Sequence, residues 1–336
     1  MEENKSVLPD ETPQEGAVKW KERRFKGNHL LWVILATLFG MIVSSVVGQT
    51  ALGLLFKPLA LRSPELAAVL DYTIQLGVIV VLVVILWVIP KNRFILRSFL
   101  PRGRGQAVAP RVVEDTYRPT QNNTVKMLLL GLLLGFVTNF FCIACALLHG
   151  DIKFYYDFSA AQVPLLLFAL VSVFFQSTAE ELWCRGFLYE RILIHYPRWV
   201  AIAVNGLLFG LLHMANPGVS VLAIASIVLC GLSYSLVRWY TGSIWVAMGL
   251  HTMWNFTQAF LFGLPNSGIV SRLSVFHLDA STGVSNLIYD FAFGVEAAIP
   301  ALIADGALGV AVLLMARRAG RLGELKQSYE TMARQE

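Results

Sequence analysis

Apolar residues run along this chain in long unbroken stretches, without the alternation that marks a half-buried strand or the one-sided stripe of a solvated helix. Eight stretches stand out, at 30–56, 67–89, 125–148, 162–188, 199–214, 219–237, 243–262 and 291–316. Each predicts an α-helix, and about 20 apolar residues at 1.5 Å per residue cross the roughly 30 Å hydrocarbon layer of a bilayer. The fifth stretch is short for that task and relies on its neighbours. The pattern predicts an all-α polytopic membrane protein, a bundle of about eight transmembrane helices.

Composition agrees. The 336 residues are 56% hydrophobic and only 15% charged, against about 25% charged in an ordinary soluble domain. Soluble, disordered and collagen-like classes are excluded. The net charge of +5 is too small and too dispersed for a nucleic-acid binder. The four cysteines (Cys142, Cys145, Cys184, Cys230) all lie in apolar stretches and make no disulfide framework.

Charge position sets the expected topology. With the N-terminus in the cytoplasm, 21 of the 27 Lys and Arg fall on the inner side and four (Lys57, Arg62, Lys153, Arg272) in outer loops. The positive-inside rule therefore puts both termini in the cytoplasm, and short loops with compact topology suit a bacterial inner membrane. The expected organisation is a cytoplasmic tail (1–29), N-terminal membrane helices (30–161) with a basic cytoplasmic loop at about 90–124, and a core at 162–262. An extracytoplasmic loop (263–290), a last span (291–316) and a second tail (317–336) follow, with both tails disordered. The first span is long for a secretory signal and reads as an uncleaved anchor. The basic loop marks the inner side and offers contact to anionic headgroups. Loop 263–290 is long enough for a cap or a partner surface, with His277 solvated.

Ionisable residues inside the spans are where chemistry is expected, because each is costly there. The fourth stretch carries Glu180, Glu181 and Arg185, three charges whose insertion near mid-helix costs on the order of 8–10 kcal/mol. The Val, Leu and Phe residues between positions 163 and 175 return roughly 3–6 kcal/mol. This helix must therefore face protein or water. Glu181 and Arg185 are four apart and share a face, so they can pair. Glu180 is rotated about 100° away and lacks that partner, which suits a general base. His213 closes the fifth stretch; His251 and Asn255, again four apart, present to one face of the seventh. By residue count, Glu180 and His251 reach similar depths, whereas His213 counts deeper.

Glu180-Glu181-x-x-x-Arg185, Phe209-x-x-x-His213 and His251-x-x-x-Asn255, in that order on three stretches, resemble the signature of the CAAX protease and bacteriocin-processing (Abi) family, which includes the type II CAAX prenyl endopeptidases. Flanking residues agree, notably Arg185-Gly186-Phe187-Leu188 and the run from Tyr240 to Trp245. The resemblance spans about 162–262. It implies a metal-independent intramembrane glutamic endopeptidase acting on membrane-associated, CAAX-type or bacteriocin-like substrates, with a water-filled cavity opening towards the cytoplasm and inner leaflet. It implies that Glu180 and His213 activate a water, that His251 and Asn255 donate to the oxyanion, and that Glu181 and Arg185 orient the cavity wall. No cofactor is implied.

The residues by themselves leave other chemistries open. A glutamate and two histidines can make a zinc site with an open position, although His-Glu-x-x-His is absent. There is no Gly-x-Ser-x-Gly elbow, and Ser233 and Ser235 have no base beside them. Asp71 and Asp305 match an aspartyl dyad by type only. Cys142 and Cys145, with redox-like spacing, read as core; Glu296 and Asp305, among small residues, read as helix-contact positions. A non-proteolytic immunity or scaffold protein on the same bundle is the alternative class. A proton-coupled transporter fits less well, since paired broken helices and an internal repeat are lacking.

Overall fold

The computed structural model describes residues 29–102, 111–113, 116–118, 121–279 and 285–333. The N-terminal tail and the centre of the basic loop, including Arg104, lie outside them. The chain is a helical bundle with two short β-pairs. Its helices are α1 (Leu30–Ala60), α2 (Pro64–Val88), α3 (Arg93–Phe99), α4 (Val125–His149), α5 (Ala160–Leu193), α6 (Arg198–Leu212), α7 (Val221–Thr241), α8 (Ile244–Phe256), α9 (Ile299–Arg318) and α10 (Tyr329–Ala333). The four strands pair antiparallel as β1 (Arg111–Val113) with β2 (Thr116–Arg118) and β3 (Phe154–Tyr156) with β4 (Phe276–Leu278).

A helix occupies each of the eight apolar stretches, but among the described residues six are long and apolar enough to cross a membrane: α1, α2, α4, α5, α7 and α9. The expected count of eight is thus reduced by this criterion. Helix α6 has 15 residues, and α8 has 13 before its backbone widens. Both are largely enclosed by neighbouring helices. Trp32, Phe39, Leu54, Val84 and Leu133 stay exposed on the outer helices, as expected of surfaces that face lipid.

Capping chemistry sets the helix ends. Thr124 and Ser220 accept from the backbone N–H three residues on, at 3.3 and 3.1 Å, opening α4 and α7. Gly150 and Gly242 follow the same helices with φ of 90° and 66°, the left-handed ending that glycine adopts without strain. Helix α8 is capped from a distance. Asn123 Oδ1 accepts from the Ile244 N–H at 3.1 Å and from Ser243 Oγ at 3.0 Å, while its Nδ2 donates to the Ser98 and Leu100 carbonyls. This one amide joins the end of α3 to the start of the helix that carries His251 and Asn255.

Helix α8 is seated against α4 without intervening side chains. A Cβ on Gly131 would lie 2.2 Å from the Val246 carbonyl oxygen, and one on Gly135 would lie 2.2 Å from that of Leu250. Gly131-x-x-x-Gly135 is the small-residue spacing that lets two membrane helices meet backbone to backbone. Gly48 and Gly77 bring α1 and α2 together in the same way.

The far end of the chain is docked, contrary to the expected disordered tail. Glu324 accepts from Arg321 Nε at 2.8 Å and Trp239 Nε1 at 3.0 Å, and its carbonyl accepts from Arg198 Nη1 at 2.6 Å. Tyr329 is wholly buried and donates to Glu190 Oε2 at 2.6 Å, while Arg238 donates to the other oxygen of Glu190. Arg198 at the start of α6 and Glu190 near the end of α5, both buried, thus gain partners from this segment. At the opposite end of the bundle, β3–β4 ties the loop after α8 to the loop after α4, and His277 is half-buried, stacked on Tyr155 and 3.0 Å from Ser274 Oγ.

Candidate active site

The first motif sits where α5 changes its winding. Residues Leu182–Leu188 follow Glu181 in π-helical geometry, and Thr257–Leu261 do the same immediately after α8. Such wide turns shift the face a side chain presents and recur at functional sites. They are not legible in the apolar pattern.

Glu181 and Arg185 are both completely buried and pair at 2.9 Å. The same Glu181 Oε1 accepts from His251 Nδ1 at 3.0 Å. Arg185 also donates to the Gly231 carbonyl at 3.2 Å, and its guanidinium lies 4.3 Å from the centre of the Phe209 ring. Phe209 in turn meets His213 at 4.9 Å and His251 at 5.8 Å between ring centres. The Phe of the second motif is therefore the shared wall on which the arginine and both histidines are arranged. The arginine–ring contact holds a desolvated cation over a π-face.

Because the Glu181 carboxylate accepts, His251 Nδ1 carries a hydrogen, and its Nε2 turns towards Glu180 Oε2 at 3.8 Å. Glu180 is 30% exposed and His251 9%. Glu180 Oε1 accepts from Gln176 Nε2, and Gln176 Oε1 accepts from Asn255 Nδ2 at 2.9 Å. Gln176, one turn before Glu180, thus links the first motif to the third. His213 caps the end of α6, with Nδ1 donating to the Phe209 carbonyl at 2.8 Å, which leaves Nε2 as the free lone pair.

All four residues with expected chemistry, Glu180, His213, His251 and Asn255, line one cavity of about 470 Å³. Glu181 and Arg185 stand behind it. The different depths counted for Glu180 and His213 are reconciled by the cavity's length, since its lining also takes in Asn216, Ser267 and Ile269. Those residues belong to the turns remote from the described chain ends, and the lining includes none from the turns around 92–101, 194–198 or 319–333. The lining therefore reaches towards the end of the bundle remote from the described chain ends.

Glu296 and Asp305, read from the sequence as helix-contact positions, also line this cavity, and the Asp305 carbonyl does meet Ser233 of α7. Glu296 Oε1 accepts from Trp254 Nε1 at 3.1 Å; its Oε2 accepts from the N–H and the hydroxyl of Ser267, each at 2.8 Å. Ser267 is held at φ 49°, an uncommon backbone state for a residue with a side chain. Asp71 lies on the rim and is exposed, on a different wall from Asp305. Cys184 and Cys230 line the cavity, and Cys142 packs in the core. Among the described residues no three His, Cys, Asp or Glu side chains are grouped to hold a metal ion.

Comparison with known proteins shows what this region is similar to. Residues 162–257 match the model described as type II CAAX prenyl endopeptidase Rce1-like. The Rce1-like segment runs from the start of α5 through α8 and contains all three motifs, and the match points to a protease. A further relative is the uncharacterized protein YyaK of Bacillus subtilis (strain 168), 27% identical over 271 residues, which cover 75% of this chain and 86% of YyaK. No solved structure matches. Gln176 and Trp254 fall inside the Rce1-like segment, whereas Glu296 and Asp305 fall outside it. Together with its apolar helices, the Rce1-like segment makes the chain a multi-pass membrane protein acting in a lipid bilayer.

Proposed function

We propose that the protein is an intramembrane endopeptidase that hydrolyses a peptide bond of a membrane-associated substrate with water activated by Glu180. The observation that carries this reading is the convergence of Glu180, His213, His251 and Asn255 from three helices on one cavity. Glu180 takes a proton from water as the water oxygen attacks the substrate carbonyl carbon. The tetrahedral oxyanion is stabilised by donors aimed at it, Asn255 through Nδ2 and His251 through Nε2, the imidazole carrying a proton on each ring nitrogen between Glu181 and Glu180. The C–N bond then breaks, and the proton held by Glu180 passes to the leaving amine. His213 shares the water through its free Nε2. Glu181 and Arg185 fix the tilt of His251 and take no part in bond changes. We place the protein in the cell membrane with both chain ends in the cytoplasm, which turns the cavity outward.

Membranes carrying the wild type and Glu180→Gln are compared by proteomics that reads peptide ends. Glu180→Gln keeps size and hydrogen bonding but loses basicity, and the loss of one acid–base group is worth about 10²–10⁴ in rate. Longer precursors accumulating in the variant are expected. Identical ends in the two membranes, with equal amounts of folded protein, overturn the reading in favour of a binding or immunity role.

A further inference from the structure

The cavity is acidic in an uneven way. Its described lining contains four carboxylates, Asp71, Glu180, Glu296 and Asp305, and no lysine or arginine. Glu180 is engaged by Gln176 at Oε1 and has its Oε2, which lacks a hydrogen-bond partner, 3.8 Å from His251 Nε2; both oxygens of Glu296 are engaged by Trp254 and Ser267. Asp71 stands exposed at the rim. Asp305 differs from all three. It sits in the first half of α9 and is only 2% exposed, and its Oδ1 has no hydrogen-bond partner among the described residues. The backbone at this point is well fixed, since the Asp305 carbonyl accepts from Ser233 Oγ at 2.7 Å. The side chain is thus carried by a held helix yet its Oδ1 is left without a donor, and a buried carboxyl at membrane depth either keeps a proton or needs a partner that complements its charge.

We infer that Asp305 is a recognition site for a positively charged group of the peptide that enters this cavity, either a lysine or arginine side chain or a free N-terminal amine. The inference rests on the endopeptidase reading for the nature of the occupant. It adds a specificity determinant on α9, outside the Rce1-like segment. An ammonium or guanidinium reaching Asp305 forms a charge-assisted hydrogen bond in a site with little competing water. Glu296 lies on the same wall and raises the negative potential that draws the cation inward.

The test uses full-length Glu180→Gln protein in lipid nanodiscs, so that bound peptide is not consumed. Binding is measured for fluorescent, N-acetylated apolar peptides in which one lysine is scanned through every position. Matched peptides carry norleucine or acetyl-lysine instead, and a free-amine norleucine peptide separates the N-terminal source from the side-chain source. A cationic peptide is expected to bind about tenfold tighter than its neutral partner. Asp305→Asn is expected to shrink that ratio to less than about twofold while leaving neutral-peptide affinity unchanged. Equal affinity for lysine and acetyl-lysine peptides overturns the inference without any further variant, as does no saturable binding, or a preference that survives Asp305→Asn. Cleavage of the same peptides by the wild type is scored separately. A retained cation preference with no cleavage sinks the endopeptidase reading and leaves the recognition site standing.

Discussion

The indole N–H of Trp254 donates to Glu296 across 3.1 Å, joining the helix that carries His251 and Asn255 to the turn before α9. Through Ser267, the same carboxylate also holds the loop after α8. One acid therefore fixes the remote end of the cavity to the wall that carries His251 and Asn255.

Removing that acid should cost more than replacing it. Glu296→Ala leaves the Trp254, Ser267 N–H and Ser267 hydroxyl donors without an acceptor, and each unmet buried donor costs about 1–3 kcal/mol. Glu296→Gln keeps an acceptor and should cost less. Thermal melting of the detergent-solubilised protein ranks them, with wild type above Glu296→Gln and Glu296→Ala lowest. Equal melting of all three contradicts the clamp.

Asn255 and Gln176 should separate chemistry from stability. On the proposed mechanism Asn255→Ala loses an oxyanion donor, a change of about 10²–10³ in kcat. Gln176→Ala frees Glu180 Oε1 and Asn255 Nδ2 together, so a smaller kcat loss with little change in KM is expected. Single-turnover cleavage of a peptide found by the proteomic comparison measures both. A KM-only effect for Asn255→Ala would assign it to binding.

Gly131 tests the seat of α8. The Val246 carbonyl oxygen stands 2.2 Å from where its Cβ would be, so even Gly131→Ala must part α4 from α8, and overpacking of this kind costs about 1–3 kcal/mol. Gly53, with open space at its Cβ, is the control. Gly131→Ala should lower both the melting temperature and activity, and Gly53→Ala neither.

Much of this arrangement is written locally in the chain, and the missing parts are those set by topology. Glu181 and Arg185 pair because four residues return to one helical face, which spacing alone reveals. The eight helices lie where apolar stretches predict them, since each stretch is a property of its own window. Glu296 is different. It has no rhythm with the motifs, and its small neighbours suggest helix contact. Only the return of loop 263–298 over the bundle end brings it to Trp254. Gln176 carried a usable signal, a polar amide one turn from Glu180 in an apolar run, and Gly131-x-x-x-Gly135 was equally readable as a close-packing stripe. The docked tail could not be read, because Arg198, Glu190 and Trp239 find their partners in it more than 80 residues later in sequence.

Acid should loosen that tail first. Burial pushes the Glu324 carboxyl up, but hydrogen bonds from Arg321 and Trp239 and the charges of Arg321 and Arg198 outweigh it, so its pKa lies below the ordinary 4.5. A depressed carboxylate contributes stability above the unfolded value, and that contribution disappears as pH falls through the folded one. Hydrogen exchange over 320–333 should therefore be flat from neutral pH to about 5 after correction for intrinsic rates, then rise below about 4.5. Glu324→Gln should exchange fast throughout. A tail whose protection is lost between pH 6 and 8 would point to another group.

The docking of Tyr329 and Glu324 has a consequence for biogenesis. These residues emerge from the ribosome after every bilayer-crossing helix described has been made, yet they complete the environment of Arg198 at the start of α6 and of Glu190 near the end of α5. A nascent chain stopped at Arg318 has all three motifs in hand, but Arg198 lacks Glu324 and Glu190 keeps only Arg238. Packing at this end of the bundle then waits on a stretch translated after the helices it serves, so a stop codon between Arg318 and Glu324 should behave like a lesion in the heart of the protein.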